Sequence, residues 1–244
     1  MPSNDYKMYK VSDMNTTMYD KLLQLPLFQG LCKSDMTKIL EKVKLHFQHF
    51  SPGEVLVNQG DQCNKLLFLL DGTLLRTTFD RKAKFTLHEE IECPQIIEPY
   101  TLYGMDTSYF SEYSAATEVG TVSIDKEYVL KMLQDYPIFL LNLVNMMSNR
   151  VQTLRKKIWN SHIGDEELKI VDFISHRCLS IKGKKVIDIK MDDMATLLNE
   201  PRINISRALN KFQRLGLVEL TRMRIIVPTM EDLNKYVYEL NAYD

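Results

Sequence analysis

Between Asp192 and Arg214 the chain reads DDMATLLNEPRINISRALNKFQR, and the second half has one helical face without a carboxylate: Arg202, Ile203, Asn204, Ser206, Arg207, Asn210, Lys211 and Arg214. An arginine fork matches guanine O6 and N7 in the major groove, each such pair discriminating by roughly 1–3 kcal/mol. Arg202 and Arg207 are therefore expected to read bases. Ile203 stands two residues from the core-facing Ile205, so it points outward, where it suits a thymine methyl. Asn204, Ser206 and Lys211, with Arg222 and Arg224 further on, suit phosphate oxygens, which fix register without carrying sequence. The chemistry implied is recognition of double-stranded DNA; the bland alternative is a solvated helix whose cations aid solubility.

Such a face must be held by a second helix. Met194, Ala195, Leu197 and Leu198 line one side of a first short helix, with Ala195 as the small crossing point, and Ile205, Ala208, Leu209, Phe212 and Leu215 recur at helical spacing on the next. Gly216 ends this pair. LVEL, TRMR and IIV then read as a hairpin, and Pro228 leads to a last helix through Leu233, Val237 and Leu240. Two helices followed by a small hairpin make a winged helix-turn-helix. The formal net charge is −1, so no global basic field announces nucleic acid. From Glu200 to Val227, however, six cations (Arg202, Arg207, Lys211, Arg214, Arg222, Arg224) face only Glu200 and Glu219, a local net charge of +4.

Ahead of this unit, Pro137 opens a long helix in which Leu140, Val144, Met147, Val151, Leu154 and Ile158 alternate spacings of four and three, a heptad seam. Ile138, Leu141 and Leu143 predict that its first half also packs on its own domain. Beyond Ser148 the remaining faces turn polar, and a narrow stripe of this kind suits a parallel partner helix. Asn160 to Glu166 breaks the pattern at Gly164 and offers Asp165 as the next N-cap, placing a hinge there. The following helix runs to about Leu179 with Ile170, Val171, Ile174 and Cys178 inward; IKGKK is a basic turn and VIDI a short strand.

The N-terminal half has a different period. Residues 1 to about 15 read as loosely held; Met18, Leu22, Leu23 and Leu25 predict a short helix ended by Pro26, and Ser34 an N-cap for another through Met36, Ile39, Leu40 and Val43. From Leu45 to Ile124 short apolar or alternating runs (LHFQHF, VLV, LLFLL, TLLRTTF, FTLHEEI, ATEVGTVSI) are cut by turn signals, which predicts an antiparallel barrel or roll. Gly53, Gly60 and Gly72 fall where such turns need positive φ. Asp125 is expected to cap a helix through Tyr128, Val129, Met132 and Leu133.

Here a resemblance becomes specific. SPGEVLVNQGDQCNKLLFLLDGTL, after LPLFQGL, resembles the opening of a cyclic-nucleotide-binding β-roll, the sensor domain of the Crp/Fnr superfamily of bacterial transcription regulators, over about residues 18 to 240. MATLLNEPRINISRAL is similar to that family's DNA-reading motif: Arg202 and Arg207 match its two arginines, while Asn199, Pro201 and Ile203 depart from its usual glycine, serine cap and glutamate. Glutamate accepts from cytosine N4, so a different target sequence is implied.

In the family's nucleotide binders a Phe-Gly-Glu stretch gives a glutamate to the ribose, and an Arg-Ser or Arg-Thr pair grips the phosphate. The matching text is Ile96-Ile97-Glu98, then Thr107-Ser108, so Glu98 and Ser108 survive while the glycine has become Ile97 and the arginine Thr107. A neutral threonine forfeits a charge-assisted hydrogen bond of about 1.5–3 kcal/mol. Ile97 adds bulk where backbone approaches the ligand. Cyclic AMP or GMP is therefore not expected; Glu98, Thr107 and Ser108 remain candidates for another small effector, with a solvated loop carboxylate as the bland reading of Glu98.

Cys32, Cys63, Cys93 and Cys178 are too dispersed for a metal or iron–sulfur cluster and read as reduced thiols, mostly core; no haem is implied. His46, His49, His88, His162 and His176 lack ligand spacing, and the thirteen methionines, Met146 and Met147 included, read as core filling. No nucleophile elbow, phosphate loop or acid–base arrangement marks an enzyme. The first twenty residues have no signal-peptide core, and the run Ile138 to Met147 is too short to span a bilayer, so a cytoplasmic protein is expected.

The expectation is an α+β chain: a jelly-roll-like antiparallel β-roll sensor (a double-stranded β-helix) in residues 1–136, a long dimerisation helix with its hinge in 137–163, and a winged helix-turn-helix in 164–244. Its expected partners are a second copy and a near-palindromic DNA operator, and the resemblance adds RNA polymerase. Its control is a small effector other than cyclic AMP, or none. The rival reading is a small-molecule sensor whose C-terminal domain contacts protein instead of DNA.

Overall fold

The computed structural model describes residues 20–160 and 165–240. Helix α1 (Lys33–Leu40) leads into β1 (Leu45–Phe50), β2 (Val55–Val57), β3 (Lys65–Asp71), β4 (Thr73–Asp80), β5 (Phe85–Glu92), β6 (Gln95–Ile97), β7 (Glu112–Ala115) and β8 (Val119–Asp125). Helices α2 (Lys126–Asp135), α3 (Pro137–Asn160) and α4 (Glu166–Arg177) follow, then β9 (Lys185–Asp188), α5 (Met191–Leu198), α6 (Arg202–Arg214), β10 (Glu219–Thr221), β11 (Arg224–Val227) and α7 (Met230–Leu240). The architecture is the expected α+β roll followed by a winged helix-turn-helix.

One sheet has the strand order β1-β8-β3-β6. The other runs through seven strands, β10-β11-β9-β5-β4-β7-β2, because β5 of the roll pairs antiparallel with β9 of the winged unit, Thr86 opposite Asp188 through Glu89 opposite Lys185. The cores follow this continuity. Phe28, Phe68, Tyr113 and Phe139 belong to the roll's core, whereas Phe85 and Leu87 of β5 pack with Ile187, Ile205, Phe212 and Leu233 in the second.

Local signals mostly hold. Gly53, Gly60 and Gly72 all take positive φ, and at Gly72 the need is steric as well: a Cβ there would lie 2.1 Å from the Glu118 carbonyl oxygen. Asp165 caps α4 by accepting from Leu168 N at 2.9 Å. Other expectations are corrected. Cys32, not Ser34, caps α1, because its side chain and Asp35 form a reciprocal box. Asp125 holds the N-cap position of α2, but its carboxylate turns to His46 Nε2 at 3.0 Å. The run expected over 116–124 starts only at Val119, and β6 and β7 were too short and irregular to announce themselves.

On α3, Phe139 and Asn142 face the roll, with Asn142 Nδ2 donating to the Leu27 and Gln29 carbonyls, while Ile138 and Leu141 are exposed. Leu215 is exposed too, and Cys32 and Cys93 lie at the surface, leaving only Cys63 and Cys178 buried. Met18, His162 and most of the hinge fall outside the described residues.

Candidate DNA-binding surface and effector cavity

The turn between α5 and α6 is set by Asn199, whose left-handed backbone ends α5, and by Pro201, which occupies the N-cap of α6, where its missing N–H costs nothing. Ile205, Ala208, Leu209 and Phe212 then bury one face of α6 against Met194, Ala195 and Leu198. Lys211 Nζ donates to Glu167 at 2.7 Å and Lys169 Nζ to Glu200 at 2.6 Å, clipping the last turn of α6 and the α5–α6 turn to α4. The opposite face is open, and Ile203 is 68% exposed between Arg202 and Arg207.

The cations on this surface are not equivalent. Arg207 is exposed and donates to Asn204 Oδ1 at 3.4 Å. Arg202 lies 3.3 Å from Asp192, both side chains well solvated. Lys211 is committed to Glu167, which raises its pKa. Arg224 forms two hydrogen bonds to Asp188, at 2.5 and 3.0 Å, and these hold the Asp188 carboxyl below its usual value. Arg222 sits exposed in the wing turn, where Met223 takes a positive φ of 64°. Arg202, Ile203 and Arg207 are thus presented together, Arg202 in a solvated ion pair with Asp192, whereas Lys211 and Arg224 are hydrogen-bonded to their carboxylate partners; these pairings cross between elements, and no local pattern announced them.

In the roll, Glu98 is 2% exposed and has a left-handed backbone. Its carboxylate accepts from Phe110 N at 2.8 Å and Tyr113 Oη at 3.0 Å, so it is not a solvated loop group. Burial and that carboxylate push the Tyr113 hydroxyl well above its usual pKa. Thr107 is held by Gln62, whose amide donates to its carbonyl at 3.2 Å and to its hydroxyl, and Ser108 N donates to Asp106 at 3.0 Å. A cavity of about 400 Å³ opens between Pro94–Tyr100 and α3, bordered by Glu98, Tyr100, Met146, Arg150 and Leu179, with the Arg150 guanidinium 5.3 Å from the centre of the Tyr100 ring. Glu98 borders this cavity, whereas Thr107 and Ser108 do not line it.

A third site joins roll and winged unit. Glu89 of β5 is wholly buried; it accepts from Arg76 Nη1 at 2.9 Å, from Leu179 N at 2.9 Å and Ser180 N at 2.9 Å, and lies 3.3 Å from the buried Lys185 ammonium. Sequence reasoning missed it: Glu89 sits in an alternating strand and Lys185 in a basic turn, and neither announces burial.

Residues 47–136 match the model of the cyclic nucleotide-binding domain, and residues 169–236 that of the Crp-like helix-turn-helix domain. The chain belongs to the Crp/Fnr superfamily. It is a DNA-binding transcription regulator of that type. Solved structures similar to this Crp/Fnr chain include a catabolite activator protein from Thermus thermophilus (15% identity, 88% of this chain and 100% of that one, TM-score 0.47). Others are a transcriptional regulator from Thermotoga maritima (27% identity, 51% and 95%, TM-score 0.44) and the c-di-GMP responsive global regulator CLP from Xanthomonas campestris (14% identity, 80% and 99%, TM-score 0.49). Comparison with curated proteins finds no match. Among the described residues, this Crp/Fnr chain has no group of three His, Cys, Asp or Glu side chains placed to hold a metal, and no helix long and apolar enough to cross a membrane.

Proposed function

We propose that the chain acts as a homodimer on a near-palindromic DNA operator, with α6 of each copy in the major groove, in three functional parts: sensor 1–136, dimerisation helix and hinge 137–163, reader 164–244. The observation that carries this reading is the open, carboxylate-free face of α6, on which Arg202, Ile203 and Arg207 stand together while the opposite face is buried. Arg202 and Arg207 suit guanines and Ile203 a thymine methyl; Asn204, Ser206 and Arg222 suit phosphates, and Lys211 and Arg224 serve there by exchanging their carboxylate partners. Two recognition helices about 34 Å apart would read successive turns of the duplex.

The dimer reading rests on α3, where Leu140, Val144, Val151, Leu154 and Ile158 are exposed along one heptad stripe and Met147 is half-buried beside them. For control, the pairing of Glu98 with Tyr113 and Phe110, and of Thr107 with Gln62, argues against a cyclic nucleotide. The cavity bordered by Tyr100 and Arg150 is the place for a different small effector, which can act only through unequal affinity for DNA-competent and incompetent arrangements. RNA polymerase is a further proposed partner.

Selection from a randomised duplex pool tests the reading directly. An enriched palindrome is expected, and Arg207→Ala should lose roughly 1–3 kcal/mol of discrimination at one position of each half-site. No enrichment, or unchanged affinity in Arg207→Ala, refutes it. Micromolar binding of cyclic AMP or GMP in calorimetry would overturn the effector reading.

A further inference from the structure

The seven-stranded sheet brings two turns to the same end. Arg224 of β11 stands opposite Asp188 of β9, Asp188 opposite Thr86 of β5, and Thr86 opposite Phe79 of β4. The wing turn at Arg222 and Met223 and the β4–β5 turn at 81–84 therefore leave the sheet at one end, and between them Ile189 N, just beyond β9, donates to the Met223 carbonyl at 2.9 Å. Their centres are three strand spacings apart, about 14 Å.

The β4–β5 turn is cationic. Arg81, Lys82 and Lys84 are exposed and, among the described residues, form no ion pair. The turn's carboxylate, Asp80, is occupied in shaping it, accepting from Lys82 N and Ala83 N, both at 2.9 Å. Lys84, Lys190 and Arg222 border one concavity with Asp188 and Asp193, and Lys190 and Arg222 border the adjoining one with Arg202 and Asp192. A cationic strip thus runs from the start of the recognition helix, across the wing, to the sensor roll. Its acids are largely spent: Asp188 on Arg224 and His88, Asp192 on Arg202.

We propose that the β4–β5 hairpin of the sensor roll is an auxiliary DNA contact, gripping backbone phosphates that flank the half-site beyond the wing. This deepens the DNA-binding reading and rests on it. A separation of about 14 Å exceeds the distance between neighbouring phosphates of one strand, so hairpin and wing can meet the same backbone without sharing a phosphate. The β5–β9 pairing holds the two turns at a fixed spacing. Phosphate contact carries no base preference.

The experiment compares full-length protein with Arg81→Gln/Lys82→Gln/Lys84→Gln and with Arg207→Ala on the selected operator, thermal midpoints first establishing that the triple variant is folded. Each lost phosphate contact makes the slope of log K against log salt shallower by about 0.9, so the triple variant, losing three contacts in each protomer of the dimer, should lose about 5.4. Between about 50 and 200 mM salt its affinity should fall roughly 2,000-fold less than that of wild type, with an unchanged consensus and a backbone footprint shortened at both outer ends. A wild-type slope and footprint in the triple variant overturn the inference while leaving the recognition helix reading intact. Unchanged DNA binding with lost activity in transcription by purified polymerase also overturns it, assigning the hairpin to a protein surface. If wild type itself shows no salt-dependent DNA binding, the underlying reading falls and the inference with it.

Discussion

Removing the Glu89 carboxylate should cost more than any surface change in this chain. Glu89→Ala leaves Arg76 and Lys185 as buried cations without a counter-charge, and strands the Leu179 and Ser180 amides that Glu89 accepts. Breaking a buried ion pair from one side costs about 3–5 kcal/mol, whereas the intact pair contributes little net, since its attraction is offset by desolvation. For a chain of this length such a loss lowers the thermal midpoint by roughly 6–20 °C. Because Glu89 ties β4 and β5 to residues 179–180 and β9, the loss should fall on the joint between roll and winged unit, separating one calorimetric transition into two. The control is Arg76→Met/Glu89→Leu/Lys185→Met, which replaces every charge with apolar volume and should recover the part of the loss due to uncompensated charge, the Leu179 and Ser180 amides staying unpaired. A loss below about 1 kcal/mol in Glu89→Ala, or a triple variant as unstable as the single one, would show that the charges are not the source of the effect.

Other outcomes follow from single groups. Burial first, and the Glu89 carboxylate second, push the Cys178 thiol from 9.0 up to about 12. A group raised in the folded state stabilises fully below its unfolded pKa, so this contribution is complete below pH 9.0 and lost as the pH climbs towards 12; the urea midpoint of wild type should fall more steeply across that window than that of Cys178→Ala. In native protein at neutral pH a thiol reagent should modify Cys32 and Cys93 and spare Cys63 and Cys178, and four modifications without denaturant would contradict the burial. Gly72→Ala meets the Glu118 carbonyl and an unfavourable φ together, so denaturation should show a loss of at least about 2 kcal/mol. Val151→Glu on the exposed stripe of α3 should give monomers in sedimentation and weaken operator binding without lowering the thermal midpoint of the roll.

What was legible in the sequence was contiguous and periodic. The inner face of α6 and its carboxylate-free outer face lie within thirteen residues and repeat at the helical period, so both were readable without tertiary information. The turns at Gly53, Gly60 and Gly72 announced themselves by residue type. The burial of Glu98 was not legible, because the partners that hold it, Phe110 and Tyr113, come from twelve and fifteen residues further along. The exposure of Ile138 and Leu141 was missed for a similar reason. Both are apolar, and only the fold reveals that the neighbouring Asn142 turns inward to satisfy the Leu27 and Gln29 carbonyls.

The pairing of β5 with β9 illustrates the deeper limit. FTLHEEI and VIDI each alternate, but alternation specifies which face is buried and not which edge is paired, so two strands a hundred residues apart give no sign of each other. Yet the charge pattern becomes intelligible only through that pairing. Glu89 and Lys185 stand directly opposite in register, and a buried carboxylate and ammonium are tolerable together where either alone is not. The same register sets His88 beside Asp188, and Asp188 in turn holds Arg224 at the base of the wing. A displacement of the winged unit by one residue along β5 would expose Phe85 and Leu87 and leave Glu89 without Lys185, so the joint is specified by one alignment. Motion of the reader relative to the sensor must therefore break that alignment as a unit instead of sliding along it, and the cost of doing so is set at Glu89.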